Sequence, residues 1–373
     1  MSKHCLFVGH ILYGRNNIYE EFLIEELRKG MSSMELVSIN KAKSVSEDPR
    51  NRDVHILRAY RKPIFDEVIR FFAFFYAGAK WAMRHKKSDC IMILLSAPVE
   101  VNLAAVWLRR IFHIKTVNLI IDTALGNIRT QSLWDRYNRF CYTWSENLTK
   151  KMTASMALNK RVFPYLKLEN RPCLLTRIGH NRTMPSYSYA PARDKKKIIA
   201  YTGTLIYYDG TKELLEAMTY LDPVEYELHI YGKGPEESLV CDYQERYPHI
   251  KLMGYLPNAE MKRVMAEADL LINPRIDNEK TDIFGFPSKM VEYLLSGTPV
   301  LTTRFAAMPE AYRDFVYEIH QQTGKGIAEA IKSVFSDTEH NREEKCRKAY
   351  NYIFENNSYQ RISEEMIAFF EKI

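Results

Sequence analysis

Short apolar runs recur along the first half of the chain, at residues 4–8, 35–39, 54–57, 89–95, 115–121 and 154–158. Between them lie stretches in which apolar residues return every three or four positions, as at 18–28, 63–87 and 132–151. Runs this short read as strands and the spaced stretches as helices, so the alternation predicts an α/β fold with a mostly parallel, doubly wound sheet. The pattern breaks at residues 181–191, which are rich in Pro, Ser and Tyr, and at the charged residues 193–197. That break reads as an interdomain linker. A second series follows, with strands at 198–201, 226–231, 250–253, 269–273 and 300–303. Helical spacing occupies 210–221 and 258–267 and returns at 323–335, 339–356 and 359–373. A chain of 373 residues, 46% of them hydrophobic, can bury two cores, which suits domains at 1–185 and 195–355.

Two helices of the first half carry many aromatic residues. Residues 63–87 hold Phe65, Phe71, Phe72, Phe74, Phe75, Tyr76 and Trp81 and end in Arg84-His85-Lys86-Lys87. These rings cover more than one helical face, whereas a helix packed on one side needs one apolar stripe. Two readings stay open: a helix at a membrane interface or lining a lipid-linked acceptor groove, or a helix buried between the sheet and a neighbour. In residues 132–151, Leu133, Tyr137, Phe140, Cys141, Trp144 and Leu148 form the stripe of an ordinary amphipathic core helix.

Charge sharpens the contrast between the halves. Residues 1–183 carry 30 Lys and Arg against 16 Asp and Glu, a net +14, while residues 184–373 carry 23 against 30, a net −7. Such asymmetry points to an anionic partner for the first half. No nucleic-acid-binding signature accompanies it, so a membrane surface is the expected partner and nucleic acid is not. No run approaches the roughly 18–20 apolar residues of a membrane span, and the run at 4–8 is too short for a signal peptide. Six scattered cysteines without a CxxC pair suit a reducing compartment and speak against a zinc site. The expected location is cytoplasmic, peripheral on the inner face of the cell membrane.

Candidate chemistry concentrates at residues 281–303. Gly285 and Pro287 break the chain, Ser288 suits an N-cap, Met290, Val291, Leu294 and Leu295 fall at helical spacing, and Gly297 stands where that helix would stop. A glycine-bearing loop feeding a helix N-terminus offers N–H groups and a dipole to a phosphate or diphosphate. Glu292, one turn inside, could reach a ribose; the alternative is a plain loop-to-helix junction with a surface glutamate. Gly203, Gly232, Gly234 and Gly254 follow strand ends, where backbone turns tightly or approaches a ligand. Asp122, at the end of the 115–121 strand, either borders a ligand crevice or caps the next loop. Gly9 and Gly14 lack the dinucleotide-binding spacing.

Gly285-Phe286-Pro287, Val291-Glu292 and Gly297-Thr298-Pro299-Val300 resemble the family-four retaining glycosyltransferases of the GT-B fold. Asn273-Pro274-Arg275, Phe286-Pro287-Ser288-Lys289 and Glu292-Tyr293 are similar to a branch found among bacterial capsule and exopolysaccharide glycosyltransferases. The likeness covers residues 196–320 well, and the first half matches in layout. It implies GT-B: two Rossmann-like domains facing a cleft, an acceptor-binding domain at 1–185, a donor-binding domain at 195–355, and a helix at 356–373 crossing back onto the first. It also implies retaining transfer of a sugar from a UDP- or GDP-linked donor to a glycan acceptor, carried on a polyprenyl diphosphate, in surface polysaccharide biosynthesis. The leaving phosphate would help deprotonate the acceptor, with no enzyme nucleophile. No D-x-D motif is present, and no metal or other cofactor is expected.

Carried onto this chain, the resemblance makes Asp122, Lys289 and Glu292 the candidate catalytic residues. Gly203, Thr204, Arg275, Lys280, Gly285, Phe286 and Ser288 would hold the phosphates and sugar, Gly254, Tyr255 and Leu256 the base, and Glu292 the ribose. The chain also departs from the family. Phe284 replaces the first glutamate of the Glu-x7-Glu pair, leaving Glu279 or Asp282 as possible substitutes, and Ile121 replaces the histidine before Asp122. Thr204 and Asp209 occupy the positions of the family's phosphate-binding Arg and Lys. Lys289, Arg275 and Lys280 are then the nearby cations, with Lys289 foremost. A nucleotide-sugar epimerase of the same fold and a non-catalytic binding subunit are the alternatives, the latter prompted by these departures.

Overall fold

A computed structural model describes residues 3–9, 18–40, 50, 54–58, 63–121, 132–180, 187–190, 196–276, 286–305 and 307–373. Asp122, Lys280 and Gly285 lie outside the described residues, as do Gly14, Glu279, Asp282 and Phe284. The chain divides into two compact units. One is drawn from Met1–Asn181, Ile283–Phe286 and Tyr359–Ile373, the other from Arg182–Asp282 and Pro287–Ser358.

In the first unit the order is β1 (His4–Gly9), α1 (Ile18–Lys29), β2 (Ser33–Asn40), β3 (Val54–Arg58), α2 (Pro63–Arg84), β4 (Cys90–Leu95) and α3 (Val99–Phe112). Then come β5 (Lys115–Ile120), α4 (Leu133–Thr149), β6 (Ala154–Ala157), α5 (Val162–Tyr165) and β7 (Cys173–Leu175). The strands form one sheet in the order β3-β2-β1-β4-β5-β6-β7, with every pair parallel. His4 of β1 registers against Ser33 on one side and Cys90 on the other. β4 is buried along its whole length, as a parallel strand covered on both faces should be. Leu23, Ile24 and Leu27 of α1 join Phe7, Ile91, Ile93 and Val117 in one core cluster. Phe74 and Trp81 of α2 and Ala105 and Leu108 of α3 join Leu6, Val8, Met92 and Leu94 in the other.

Two helices of this unit carry exposed aromatic stripes. On α2 only Phe74 and Trp81 among the rings are buried, while Phe65, Val68, Phe72, Tyr76 and Met83 form an exposed stripe, Tyr76 at 70%. α2 thus packs against the sheet and α3 through one face, as one reading has it, while the aromatic stripe on its other face stays exposed. α4 is not an ordinary core helix: Leu133 is 82% exposed, Phe140 and Trp144 are exposed, and only Leu148 and Thr149 are buried. The reason is where it is anchored. Asn118 Nδ2 donates to Thr149 Oγ1 (2.8 Å), and Asn102 Nδ2 donates to Ser145 Oγ (2.7 Å), both toward its C-terminal end. Its first turn is held by a Ser132–Asp135 capping box and by Tyr137 donating to Glu67 of α2, which leaves the apolar stripe uncovered. No helix among the described residues is long and apolar enough to cross a membrane.

The second unit runs β8 (Lys197–Thr202), α6 (Thr211–Met218), β9 (Tyr226–Tyr231), α7 (Glu237–Arg246), β10 (Ile250–Gly254), α8 (Asn258–Glu267) and β11 (Leu270–Asn273). It continues with α9 (Lys289–Leu295), β12 (Val300–Thr303), β13 (Tyr317–Ile319), α10 (Gly324–Ser336) and α11 (Glu339–Asn356). Its six-stranded parallel sheet has the order β10-β9-β8-β11-β12-β13. Leu214, Leu215 and Met218 of α6 and Ile327, Ile331 and Val334 of α10 pack on Ile199, Leu228, Ile230, Leu270, Ile272 and Leu301. The edge strands β7 and β13 were not expected. Three residues each carry no periodicity that a pattern search can see.

The last helix, α12 (Tyr359–Lys372), returns to the first unit. Tyr359, Ile362, Met366 and Phe370 are buried in the α1 side of that core. Two glycines admit it: a Cβ on Gly30 would lie 2.2 Å from Ile367 Cδ1, and one on Gly179 would lie 2.5 Å from the Tyr359 ring.

Candidate functional site

In the second sheet the connections run outward in opposite directions from β8 and β11, so the topological switch point lies between these two neighbours. Open α/β sheets bind ligands just beyond the carboxyl ends of strands at such a point. Here those ends are Thr202-Gly203-Thr204 after β8 and Pro274-Arg275 after β11.

The loops are seated by glycines. Gly210 follows a one-turn 3-10 helix, Tyr207–Asp209, with φ of +77°, and a Cβ there would lie 2.0 Å from Pro274 O. The Ile276 N–H donates to Tyr208 O (3.0 Å), so the turn carrying Asp209 is bound to the segment carrying Arg275. A Cβ on Gly232 would meet Gly203 O at 1.8 Å, and one on Gly234 would meet Leu205 O at 2.2 Å. These two strand-end glycines therefore serve backbone-to-backbone packing.

Three charged side chains from separate segments converge there. Asp209, nearly buried, has Oδ1 at 3.5 Å from Arg275 Nη1 and Oδ2 at 3.6 Å from Lys289 Nζ. Lys289 Nζ also donates to the Tyr201 hydroxyl (3.3 Å) and stands 4.4 Å from the centre of that ring. Burial depresses the Lys289 pKa to about 8; Asp209 opposes the shift and Arg275 adds to it. Tyr201 is fixed in turn by donating to Thr204 O (2.8 Å), and burial holds its phenol well above the usual range. Among the described residues the cluster brings two cations to one carboxylate, a set of charges suited to an anionic ligand.

Helix α9 is tied to the same strand end. The Tyr293 hydroxyl, fully buried, accepts from the Thr202 N–H (2.8 Å) and lies 3.3 Å from Thr202 O. This bond sets the register of Lys289, one turn earlier, over Gly203. Gly297, with φ of +80°, ends the next turn, and a Cβ there would lie 1.9 Å from Ser188 O.

Several expectations are corrected by this geometry. The Gly203 N–H is already committed to Tyr231 O (2.9 Å), so it is not a phosphate donor. Gly203 makes room instead: a Cβ would lie 3.2 Å from Lys289 Nζ, and its φ is +145°. Ser288 does not cap α9, because its backbone is already helical (φ −56°, ψ −32°) and its side chain makes no cap bond. With only seven residues, α9 has a weak dipole, so the side chain of Lys289 rather than the helix tip carries the positive charge.

The remaining predicted residues fall around this cluster or apart from it. Phe286 is half-buried and Thr204 and Ser288 are exposed. Glu292 is open to solvent, and desolvation by the protein around it raises its carboxyl pKa, with Lys262 opposing. Gly254 has φ of +75° with open space where a Cβ would be, and Tyr255 beside it is exposed. Sequence reasoning missed Tyr201 and the anchoring role of Tyr293, because an isolated tyrosine at a strand or helix reads as core. Among the described residues no three His, Cys, Asp or Glu side chains converge as a metal site would require.

Comparisons with known proteins bear on the same unit. Residues 196–337 match the family described as Glycosyl transferases group 1. Over 90 residues the chain is 30% identical to WcaL of Salmonella typhimurium, covering 23% of this chain and 22% of WcaL. Over 61 residues it is 33% identical to AmsK of Erwinia amylovora, an amylovoran biosynthesis glycosyltransferase, covering 16% of this chain and 15% of AmsK. The matched stretches thus span about a fifth of these relatives' length or less. Among solved structures, Anabaena HepE in complex with UDP superposes with a TM-score of 0.72 at 12% identity, over 100% of both chains. The lipopolysaccharide outer core galactosyltransferase WaaB gives 0.68 at 13% identity, over 99% of this chain and 100% of WaaB. With two parallel-sheet α/β units, the chain has the GT-B fold.

Proposed function

We propose that this protein is a retaining, metal-independent glycosyltransferase that moves a hexosyl group from a UDP- or GDP-linked donor to a lipid-linked glycan in bacterial surface polysaccharide biosynthesis. The observation that carries the reading is the convergence of Lys289 and Arg275 beside Gly203 at the switch point of the second sheet. That unit matches the glycosyltransferase family, and UDP is bound by the structural neighbour HepE. In this reading the two cations hold the donor diphosphate and stabilise the charge that grows on it as the sugar–phosphate bond breaks. They act in a water-poor setting where each charge counts for more. Glu292 receives the ribose hydroxyls, and Gly254-Tyr255-Leu256 face the base. The departing phosphate takes the acceptor proton, so no protein nucleophile is required. AmsK supports the assignment to exopolysaccharide synthesis.

The acceptor side is proposed to meet an anionic membrane through the exposed stripe of α2 and the exposed aromatics of α4. Phe65, Phe72, Tyr76, Trp134 and Trp144 supply interfacial rings, and the net +14 of residues 1–183 supplies the charge. Flotation with vesicles containing anionic lipid should capture the protein, and raised salt should release it. Binding that is absent, or indifferent to salt, refutes this part.

Release of UDP or GDP from a panel of nucleotide sugars, in the presence of lipid-linked glycan acceptors, tests the central claim. Nucleotide-sugar binding without turnover on any donor would make the protein a non-catalytic binding module. Failure to bind any nucleotide sugar would remove the donor-site reading altogether.

A further inference from the structure

Asp209 stands where the resemblance implies a phosphate-binding cation, and the structure shows it in a different capacity. Its carboxylate lies between two cations that come from distant parts of the chain, Arg275 at 3.5 Å and Lys289 at 3.6 Å. Both are ion-pair distances, longer than a hydrogen bond. Its own position is set by backbone: Gly210, the next residue, is locked against Pro274, the residue before Arg275. Two cations brought together in a nearly buried place repel each other, and burial favours loss of the lysine proton. An acid held between them offsets both effects.

We propose that Asp209 is the positioning residue of the diphosphate site, drawing Lys289 and Arg275 to one side of Gly203 and keeping the lysine charged before the donor arrives. The inference rests on the nucleotide-sugar reading above. Among the described residues, the charged and titratable groups that act on Lys289 are Tyr201 from β8, Asp209 from the 3-10 turn and Arg275 after β11. Among the described residues, Asp209 alone of these brings a carboxylate within ion-pair range of Lys289 Nζ. In this chain the positive charge is delivered from α9, and an acid sits in the first loop of the unit where the resemblance implies a cation.

The test is calorimetric titration with UDP-glucose and GDP-mannose between about pH 6 and 8.7, above the ionisations of the diphosphate and below those of the uracil and guanine N–H groups. For the wild type, affinity should fall as pH rises through about 8, by at most about tenfold per pH unit, as Lys289 loses its proton. In Asp209→Asn the fall should move lower by at least about one pH unit, with affinity at the acid end matching or exceeding that of the wild type. Lys289→Met should remove the fall in both backgrounds. A fall that stays at the wild-type pH in Asp209→Asn overturns the proposal, as does a loss of affinity by the same factor at every pH, which is what a purely structural role predicts. Thermal unfolding is followed in parallel, and Asp209→Ser serves if the asparagine variant does not fold. If the wild type binds neither probe at any pH, the donor-site reading itself fails, an outcome distinct from an unmoved step.

Discussion

Lys289 makes a prediction about stability that is independent of any ligand. Its ammonium is nearly buried, and burial lowers its pKa from 10.5 to about 8, with Asp209 opposing and Arg275 contributing. Unfolding restores the ordinary value. Below pH 8 the lysine is protonated in both states, and the fold carries the full cost of a buried charge. Between 8 and 10.5 the folded protein releases the proton first, so stability rises with pH; above 10.5 the rise is complete. The gap between the two values is worth about 3 kcal/mol in all, of which about 2 kcal/mol falls between pH 7.5 and 9.5. Lys289→Met keeps the length of the side chain and removes the titration, so stability of the variant should climb by about 2 kcal/mol less over that interval. Urea unfolding at a series of pH values measures the difference. All four tryptophans, at 81, 107, 134 and 144, lie in the first unit, so far-UV circular dichroism must be the probe for the second. Comparing the two proteins cancels the tyrosines and other groups that titrate in the same range. Equal pH slopes for wild type and variant would refute the claim that this lysine is held, charged, against its solvation.

Other residues make narrower predictions. Tyr293→Phe leaves the buried Thr202 N–H without its 2.8 Å acceptor; the loss should be about 1–3 kcal/mol, read as a drop of roughly 3–8 °C in the melting temperature of the second unit. Gly210→Ala places a Cβ against Pro274 O in a left-handed backbone, so it should cost more than about 3 kcal/mol by urea denaturation. Glu292→Ala, at an exposed position, should change stability by less than about 0.5 kcal/mol. It should weaken UDP binding roughly tenfold while leaving binding of a 2′,3′-dideoxy analogue unchanged, and an equal effect on both ligands would remove Glu292 from the ribose.

How far the chain could be read in advance differs between fold and site. Alternating apolar runs and helical spacings located the long strands and helices, because a parallel strand buried on both faces is apolar throughout, as in Cys90–Leu95. The three-residue edge strands escaped because they hold no pattern. The stripes of α2 and α4 were visible as stripes, yet whether a stripe is covered depends on neighbours that periodicity does not name. α4 shows this most plainly: the spacing of a core helix ended up exposed, since its anchors are hydrogen bonds of Thr149, Ser145 and the Tyr137 hydroxyl rather than packing of its rings.

At the site, the glycines after β8, β9, β10 and α9 could be picked out as constrained positions from sequence. What constrains each could not: Gly232 and Gly234 face backbone, Gly203 faces a lysine, and Gly254 faces open space. Lys289 could be singled out as a cation beside a loop whose pattern suits a phosphate. Its partner could not, because Asp209 lies 80 positions away and reads in isolation as a missing charge. The linear order of apolar and polar residues determined that the chain would form two parallel sheets with glycine-bearing loops at the carboxyl ends of the second sheet's strands. Only the tertiary structure decided that Asp209, Arg275 and Lys289 meet. Burial and Coulomb attraction act through space, so the charge state of a lysine depends on which residues the fold packs around it.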